Sequence, residues 1–131
     1  MAKKRYKKTG FARTKRYPFL NHPAFYKRKG NDDVEYVTFT HSSEVELDDE
    51  KVITKELNVN INREDPSEKN RKSRVIPRVY KGKRSSLHKE LIGFKLDSSD
   101  RTLIENIFSS SKIINIPYTN NSKVNKKKLK K

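Results

Sequence analysis

The sequence predicts a mainly β fold of the α+β kind, a small barrel or curled sheet closed by one C-terminal helix. Three observations predict it. Short runs rich in β-branched and aromatic residues alternate with period two between charged turn clusters, and a single amphipathic helical stripe follows them. Hydrophobic residues make up only 31% of the 131, against roughly 45–50% in an average globular chain, so the core is small.

The opening MAKKRYKKTGFARTKRY shows no sustained period, and Tyr6, Phe11 and Tyr17 are interleaved with lysine and arginine. Residues 1–16 therefore read as a flexible basic arm, suited to lie along a phosphate backbone with rings against unpaired bases, or as a tail or leader with no such task. Residues 17–118 form the single domain. PFLNHPAFY and VEYVTFT flank Gly30-Asn31-Asp32-Asp33, a hairpin signal, and 34–40 reads as a mostly buried strand because β-branched and aromatic residues dominate both alternating sets. Leu57, Val59 and Ile61 alternate with Asn58, Asn60 and Asn62, which predicts a strand with one wet face. Arg74–Tyr80 is a further strand whose Pro77 requires an edge or a bulge, and Leu91–Leu96 another. Asp97 caps a helix over 98–108, with Asp100 three residues on and Leu103, Ile104, Ile107 and Phe108 as its core stripe. KIINIP adds one short strand, and 119–131 is a lysine-rich tail.

Charge is segregated along the chain. The formal net charge is +16 and the pI about 10.1, which points to a polyanionic partner. Residues 1–29 carry eleven basic groups and no acid, 30–68 carry twelve acids against three bases, and 69–89 carry nine bases and no acid. Such blocks suit a basic binding face backed by an acidic one. The chain has no cysteine, which excludes disulfides and thiolate chemistry and is compatible with a reducing compartment. No apolar run reaches the roughly 20 residues of a membrane span, and a soluble cytoplasmic protein is expected.

Glycines at 10, 30, 82 and 93 fit neither GxxxxGK[ST] nor GxGxxG, and His22, His41 and His88 have no carboxylate at ligand spacing. No metal or other cofactor is expected. The residues that carry chemistry are Thr40, His41 and Ser42, at the end of the strongest strand, with His22 before Pro23. A histidine and hydroxyls beside a basic surface are the ingredients of metal-independent phosphodiester cleavage: a base activates the ribose 2′-hydroxyl and a cation stabilises the phosphorane. The plain alternative is a strand residue followed by a turn whose backbone His41 and Ser42 satisfy. Arg74, Arg78, Lys81, Lys83 and Arg84, with Arg13, Lys15 and Arg16 in the arm, are the candidate phosphate contacts, arginine being the better phosphate clamp.

His22-Pro23-Ala24-Phe25-Tyr26, followed by Tyr36-Val37-Thr38-Phe39-Thr40-His41-Ser42 and by Ser73-Arg74-Val75-Ile76-Pro77-Arg78-Val79, resembles the MazF/PemK-like endoribonuclease toxins over about 20–108. The resemblance implies an SH3-like barrel, metal-independent RNA cleavage, a homodimer and an acidic antitoxin-like partner. His22 stands where that family has its arginine, and Thr40 where it has its threonine, so a permanent cation is replaced by a group that titrates near neutral pH. The layout is also similar to small proteins of low-GC Gram-positive bacteria and their mobile elements. Three functions follow as expectations: an RNA-directed binding protein with possible endoribonuclease activity, a non-catalytic DNA- or RNA-binding accessory protein of a mobile element, and a protein-interaction module using the acidic block 44–50.

Overall fold

The computed structural model describes residues 8–58 and 72–116. Among them the chain forms β1 (Thr9–Thr14), β2 (Pro23–Arg28), β3 (Asp33–Thr40), β4 (Glu44–Leu47), β5 (Glu50–Ile53), β6 (Lys55–Glu56), β7 (Arg74–Val75), β8 (Val79–Lys83), β9 (Leu87–Leu91), α1 (Ser98–Ser110) and β10 (Ile113–Asn115). The main sheet runs β10-β8-β3-β2-β1-β9, with β7 pairing the end of β3 and β6 pairing β7; β4 and β5 form a separate hairpin. The fold is mainly β, but the sheet is open: β9 and β10 stand at its two ends and are not paired with each other among the described residues. The mainly β expectation holds, and among the described residues the sheet is open and branched, so a closed barrel is not shown.

The strand over 34–40 follows the sequence pattern. Val34 to Phe39 are all buried, because alternate side chains serve two different cores. Val37 and Phe39 join Phe11, Phe25, Val75 and Val79 against the helix residues Ile104, Ile107 and Phe108. Val34 and Tyr36 join Ala12, Ala24, Tyr26, Tyr80 and Leu87 on the opposite face, where Tyr17, Ile114 and Ile116 pack over them. The hairpin between β2 and β3 pairs Arg28 with Val34 around the Gly30–Asp33 turn, as its composition predicts.

The basic arm needs correction. Thr9–Thr14 is a strand between β2 and β9, with Phe11, Ala12 and Thr14 buried. Its only large apolar residue is Phe11, and its other inward positions are Ala12 and Thr14, so hydrophobic alternation is nearly silent there. Gly10 belongs to the same face: a Cβ at this position would lie 2.8 Å from Glu90 Oε2 and 2.9 Å from the Tyr26 hydroxyl. Residues 1–7, the strand candidate at 59–62 and the tail 119–131 lie outside the described residues.

Pro77 divides the expected strand 74–80 into β7 and β8. The Ile76 amide bonds the Thr38 carbonyl at 3.0 Å, and the Arg78 amide folds back to the Ile76 carbonyl at 2.7 Å. The strand expected at 91–96 ends at Leu91 and begins earlier, at Leu87; Gly93, at φ 93°, turns the chain toward the helix. The acidic block is a hairpin, made possible by Asp48 and Asp49 in the left-handed region at φ 53° and 64°. The tail adds β10, parallel to β8. No helix among the described residues is long and apolar enough to cross a membrane.

Asp97 caps α1 as its position predicts, accepting from the Asp100 amide at 2.8 Å. The Asp100 carboxylate accepts from the Asn58 amide at 2.8 Å, and Asn58 Nδ2 donates to Asp97 at 3.0 Å, so the helix start also anchors the chain at Leu57–Asn58. The Asp100 amide, followed by the Asn58 side chain, holds the Asp97 carboxyl below its ordinary pKa. A lowered folded-state pKa gives stability that is complete above the unfolded value near about 4 and is lost as pH falls through the folded value. In thermal unfolding from pH 7 to pH 2, Asp97→Asn should keep the cap and lose this acid dependence, whereas Asp97→Ala should unfold at lower temperature throughout. Ile104→Ala, in the helix-side core, should cost about 2–5 kcal/mol by denaturant unfolding.

Candidate functional site

The end of β1, the start of β2 and the end of β3 meet at one edge of the sheet, because β1 and β2 are antiparallel with Arg13 opposite Pro23, and β2 and β3 are antiparallel with Ala24 opposite Thr38. The loop between β1 and β2 is held by Thr14. Its amide donates to the His22 carbonyl at 2.8 Å, its hydroxyl donates to the Phe19 carbonyl at 2.5 Å and accepts from the His22 amide at 3.0 Å. The Tyr36 hydroxyl donates to the Tyr17 carbonyl at 2.7 Å, beside the cis Tyr17–Pro18 peptide bond. This fastening leaves a cleft of about 590 Å³ lined by Arg13, Leu20, Asn21, His22, Pro23, Phe39, Thr40, His41, Ser42 and Ser73.

His22, Thr40, His41 and Ser42, drawn from two strand ends distant in sequence, all line this cleft. Arg13 lines it as well, its Nη1 donating to the Asn21 carbonyl at 3.1 Å. The arginine that the resemblance leads one to seek at position 22 is absent there, and a guanidinium enters the same cleft from the neighbouring strand. Its sequence signal was the alternation Phe11, Arg13 within TGFART, masked by the basic residues around it. Leu20, which is 74% exposed, and Phe39 give the cleft an apolar part that sequence reasoning did not assign.

His22 is half-buried, its ring centroid 4.8 Å from that of Phe19. Burial pushes its pKa down, a ring hydrogen bond to the Leu20 carbonyl works against that, and the charge of Arg13 pushes it down further. The imidazole is therefore neutral at pH 7, a proton acceptor and not a substitute cation. Thr40 is tied differently: its hydroxyl accepts from the Ser42 amide at 3.2 Å, so the side chain at the strand end, and not His41 or Ser42, satisfies this turn amide.

The other basic candidates are mostly engaged within the chain. Arg78 is ion-paired with Asp48 at 3.2 Å and Glu50 at 2.7 Å, so the acidic hairpin finds its counter-charge here. Arg74 donates from Nε to the Thr54 hydroxyl at 2.7 Å and from Nη2 to the Thr54 carbonyl at 2.9 Å. Lys83 pairs with Asp33 at 3.2 Å, and Arg84 donates to the Leu87 and His88 carbonyls while lying 4.9 Å from the Tyr26 ring centroid. Lys15, Arg16 and Lys81 are exposed. Of the eight candidate phosphate contacts, only Arg13 lines the cleft. No group of three or more His, Asp or Glu side chains placed to hold a metal ion occurs among the described residues.

No protein-family model matches the chain, and no curated protein or solved structure is significantly similar to it.

The arrangement around His22 is checked by titrating its imidazole by NMR. The midpoint should fall below the ordinary value of about 6.5, and Arg13→Ala should raise it while leaving it below that value, because burial is the larger cause.

Proposed function

We propose that this protein binds RNA and that the cleft at the Arg13, His22 and Thr40–Ser42 edge is where it engages, and cleaves, the phosphodiester backbone without a metal. The observation that supports this most is the convergence in one cleft of a guanidinium, two imidazoles and two hydroxyls from three chain segments. The net charge of +16 supplies the long-range attraction for a polyanion.

Each group has a role consistent with its setting. Arg13 carries a permanent charge and two-pronged donor geometry, which suit the equatorial oxygens of a phosphorane. Neutral His22 can accept the proton of a ribose 2′-hydroxyl as that oxygen attacks phosphorus, and His41 is the candidate to supply a proton to the departing 5′-oxygen. The products of that step are a 2′,3′-cyclic phosphate and a 5′-hydroxyl. The need for a 2′-hydroxyl is what makes RNA, and not DNA, the substrate of this reading. The protein-interaction reading is the weaker one: Asp48 and Glu50 of the acidic block already face Arg78.

The test uses labelled single-stranded RNA and its DNA counterpart, with EDTA present. The wild type should cut RNA into discrete fragments and leave DNA intact, and His22→Ala or His41→Ala should slow cleavage by about 10²–10⁴-fold. The acid limb of the wild-type pH–rate profile should have its midpoint below about 6.5, since His22 must be unprotonated to act. Arg13→Ala should weaken binding and reduce the slope of log affinity against log salt by about one. Salt-dependent binding without cleavage, unchanged by the histidine substitutions, would leave a non-catalytic nucleic-acid-binding protein.

A further inference from the structure

Ser42, in the cleft wall that follows β3, and its neighbour Ser43 are fastened from behind by one residue. Thr54 lies where the acidic hairpin returns to the sheet, is 2% exposed, and commits both backbone groups and its hydroxyl. Its amide donates to the Ser43 carbonyl at 3.0 Å, and its hydroxyl donates to the Ser42 carbonyl at 2.6 Å. The same hydroxyl accepts from Arg74 Nε at 2.7 Å, and the Thr54 carbonyl accepts from Arg74 Nη2 at 2.9 Å. Arg74 is in turn placed by the sheet, as the register partner of Thr40. The ring of contacts closes: Thr40 to Arg74 across the ladder, Arg74 to Thr54 through the guanidinium, Thr54 to Ser42 and Ser43, and Ser42 back to the Thr40 hydroxyl.

We infer that Thr54 and Arg74 are positioning residues for the cleft: together they hold the Thr40–Ser43 wall in the conformation that presents His41 and the Ser42 hydroxyl to a bound phosphodiester. Arg74 thus serves the site from behind through Thr54. A hydroxyl that accepts from a charged donor is polarised and becomes a better donor to the Ser42 carbonyl, so the two bonds reinforce each other. Ser42 and Ser43 are exposed, and water would satisfy their carbonyls equally well, so what the clasp adds is orientation of the wall. This role rests on the cleft being the binding site proposed above.

The experiment uses the full chain and two independent readouts for Thr54→Val, Thr54→Ser and Arg74→Lys. Hydrogen exchange of the Ser42 amide, which donates to the Thr40 hydroxyl, reports the wall itself by NMR, and affinity for single-stranded RNA reports the cleft. Thr54→Val, which keeps shape and loses the hydroxyl, should speed exchange at Ser42 and weaken RNA binding by about tenfold, with thermal unfolding still cooperative. Thr54→Ser should restore both readouts, and Arg74→Lys, which cannot make the paired donation, should resemble Thr54→Val. Unchanged exchange at Ser42 in Thr54→Val would overturn the clasp, as would faster exchange with RNA affinity intact while Arg13→Ala and His41→Ala remain impaired. If Arg13→Ala and His41→Ala also bind RNA normally, the cleft reading fails, and the exchange data still decide whether the clasp orders the wall.

Discussion

The structure depends on burying both faces of β3. A strand with solvent on one side needs one hydrophobic set; β3 presents two, and each demands its own cover. Val37 and Phe39 are met by the stripe of α1, while Val34 and Tyr36 are met by a tyrosine-rich layer that includes Tyr26 and Tyr80. Its neighbours follow from this. β2 lies along one side, β8 and then β7 along the other, with Pro77 at the break where the second ladder changes partner. The helix, the Tyr17 loop and β10 are the lids of the two cores, and the low hydrophobic content of the chain is sufficient because so much of it lies on or against this one strand.

Buried aromatic hydroxyls show how the second core carries polar atoms. Tyr36 is enclosed and its hydroxyl donates to the Tyr17 carbonyl, so burial and the neighbouring tyrosines, Tyr80 then Tyr17, drive its pKa far above the ordinary value. That bond fastens the β1–β2 loop to the central strand, and the loop supplies Leu20, Asn21 and His22 to the cleft. Core packing and site geometry are therefore coupled through a single phenol. Thr14 does the same from the strand side, with three hydrogen bonds that hold His22 and its loop just before β2.

Charge is arranged in two tiers. Exposed pairs such as Lys83–Asp33 are worth about 0–1 kcal/mol and mainly prevent local repulsion. Arg78, only 14% exposed, faces two acidic partners and fastens the hairpin carrying Asp48 and Glu50 to the sheet. That contact places negative charge beside a strongly basic chain and takes Arg78 out of contention as a ready phosphate ligand. The cleft keeps its own arginine, and the chemistry proposed for it rests on the contrast between that permanent charge and a histidine held neutral by burial.

The strand over 34–40, the hairpin before it and the capped helix were legible in the sequence, because each is decided by local chemistry. Apolar or β-branched residues dominate both alternating sets of 34–40, Gly30–Asp33 is a cluster of turn formers, and Asp97 sits one residue before a helix whose apolar stripe begins at Leu103. The grouping of His22 with Thr40–Ser42 in one cleft has no local pattern behind it and comes from the pairing of β2 with β3. Tertiary structure alone decided the rest. β1 reads as an arm since its inward residues are small or polar, and it becomes a strand because β2 and β9 supply partners on both sides. The acidic block becomes a hairpin in which two aspartates accept positive φ at the turn, and Arg78, distant in sequence, pairs with two of its five carboxylates. Whether Arg13, whose alternation with Phe11 is masked by its basic neighbours, lines the cleft, and whether Arg74 points its donors at phosphate or at Thr54, is not decided by periodicity or composition. Both are set by register across the ladder, since the pairing of Arg13 with Pro23 and of Arg74 with Thr40 determines which side chains meet at the sheet edge.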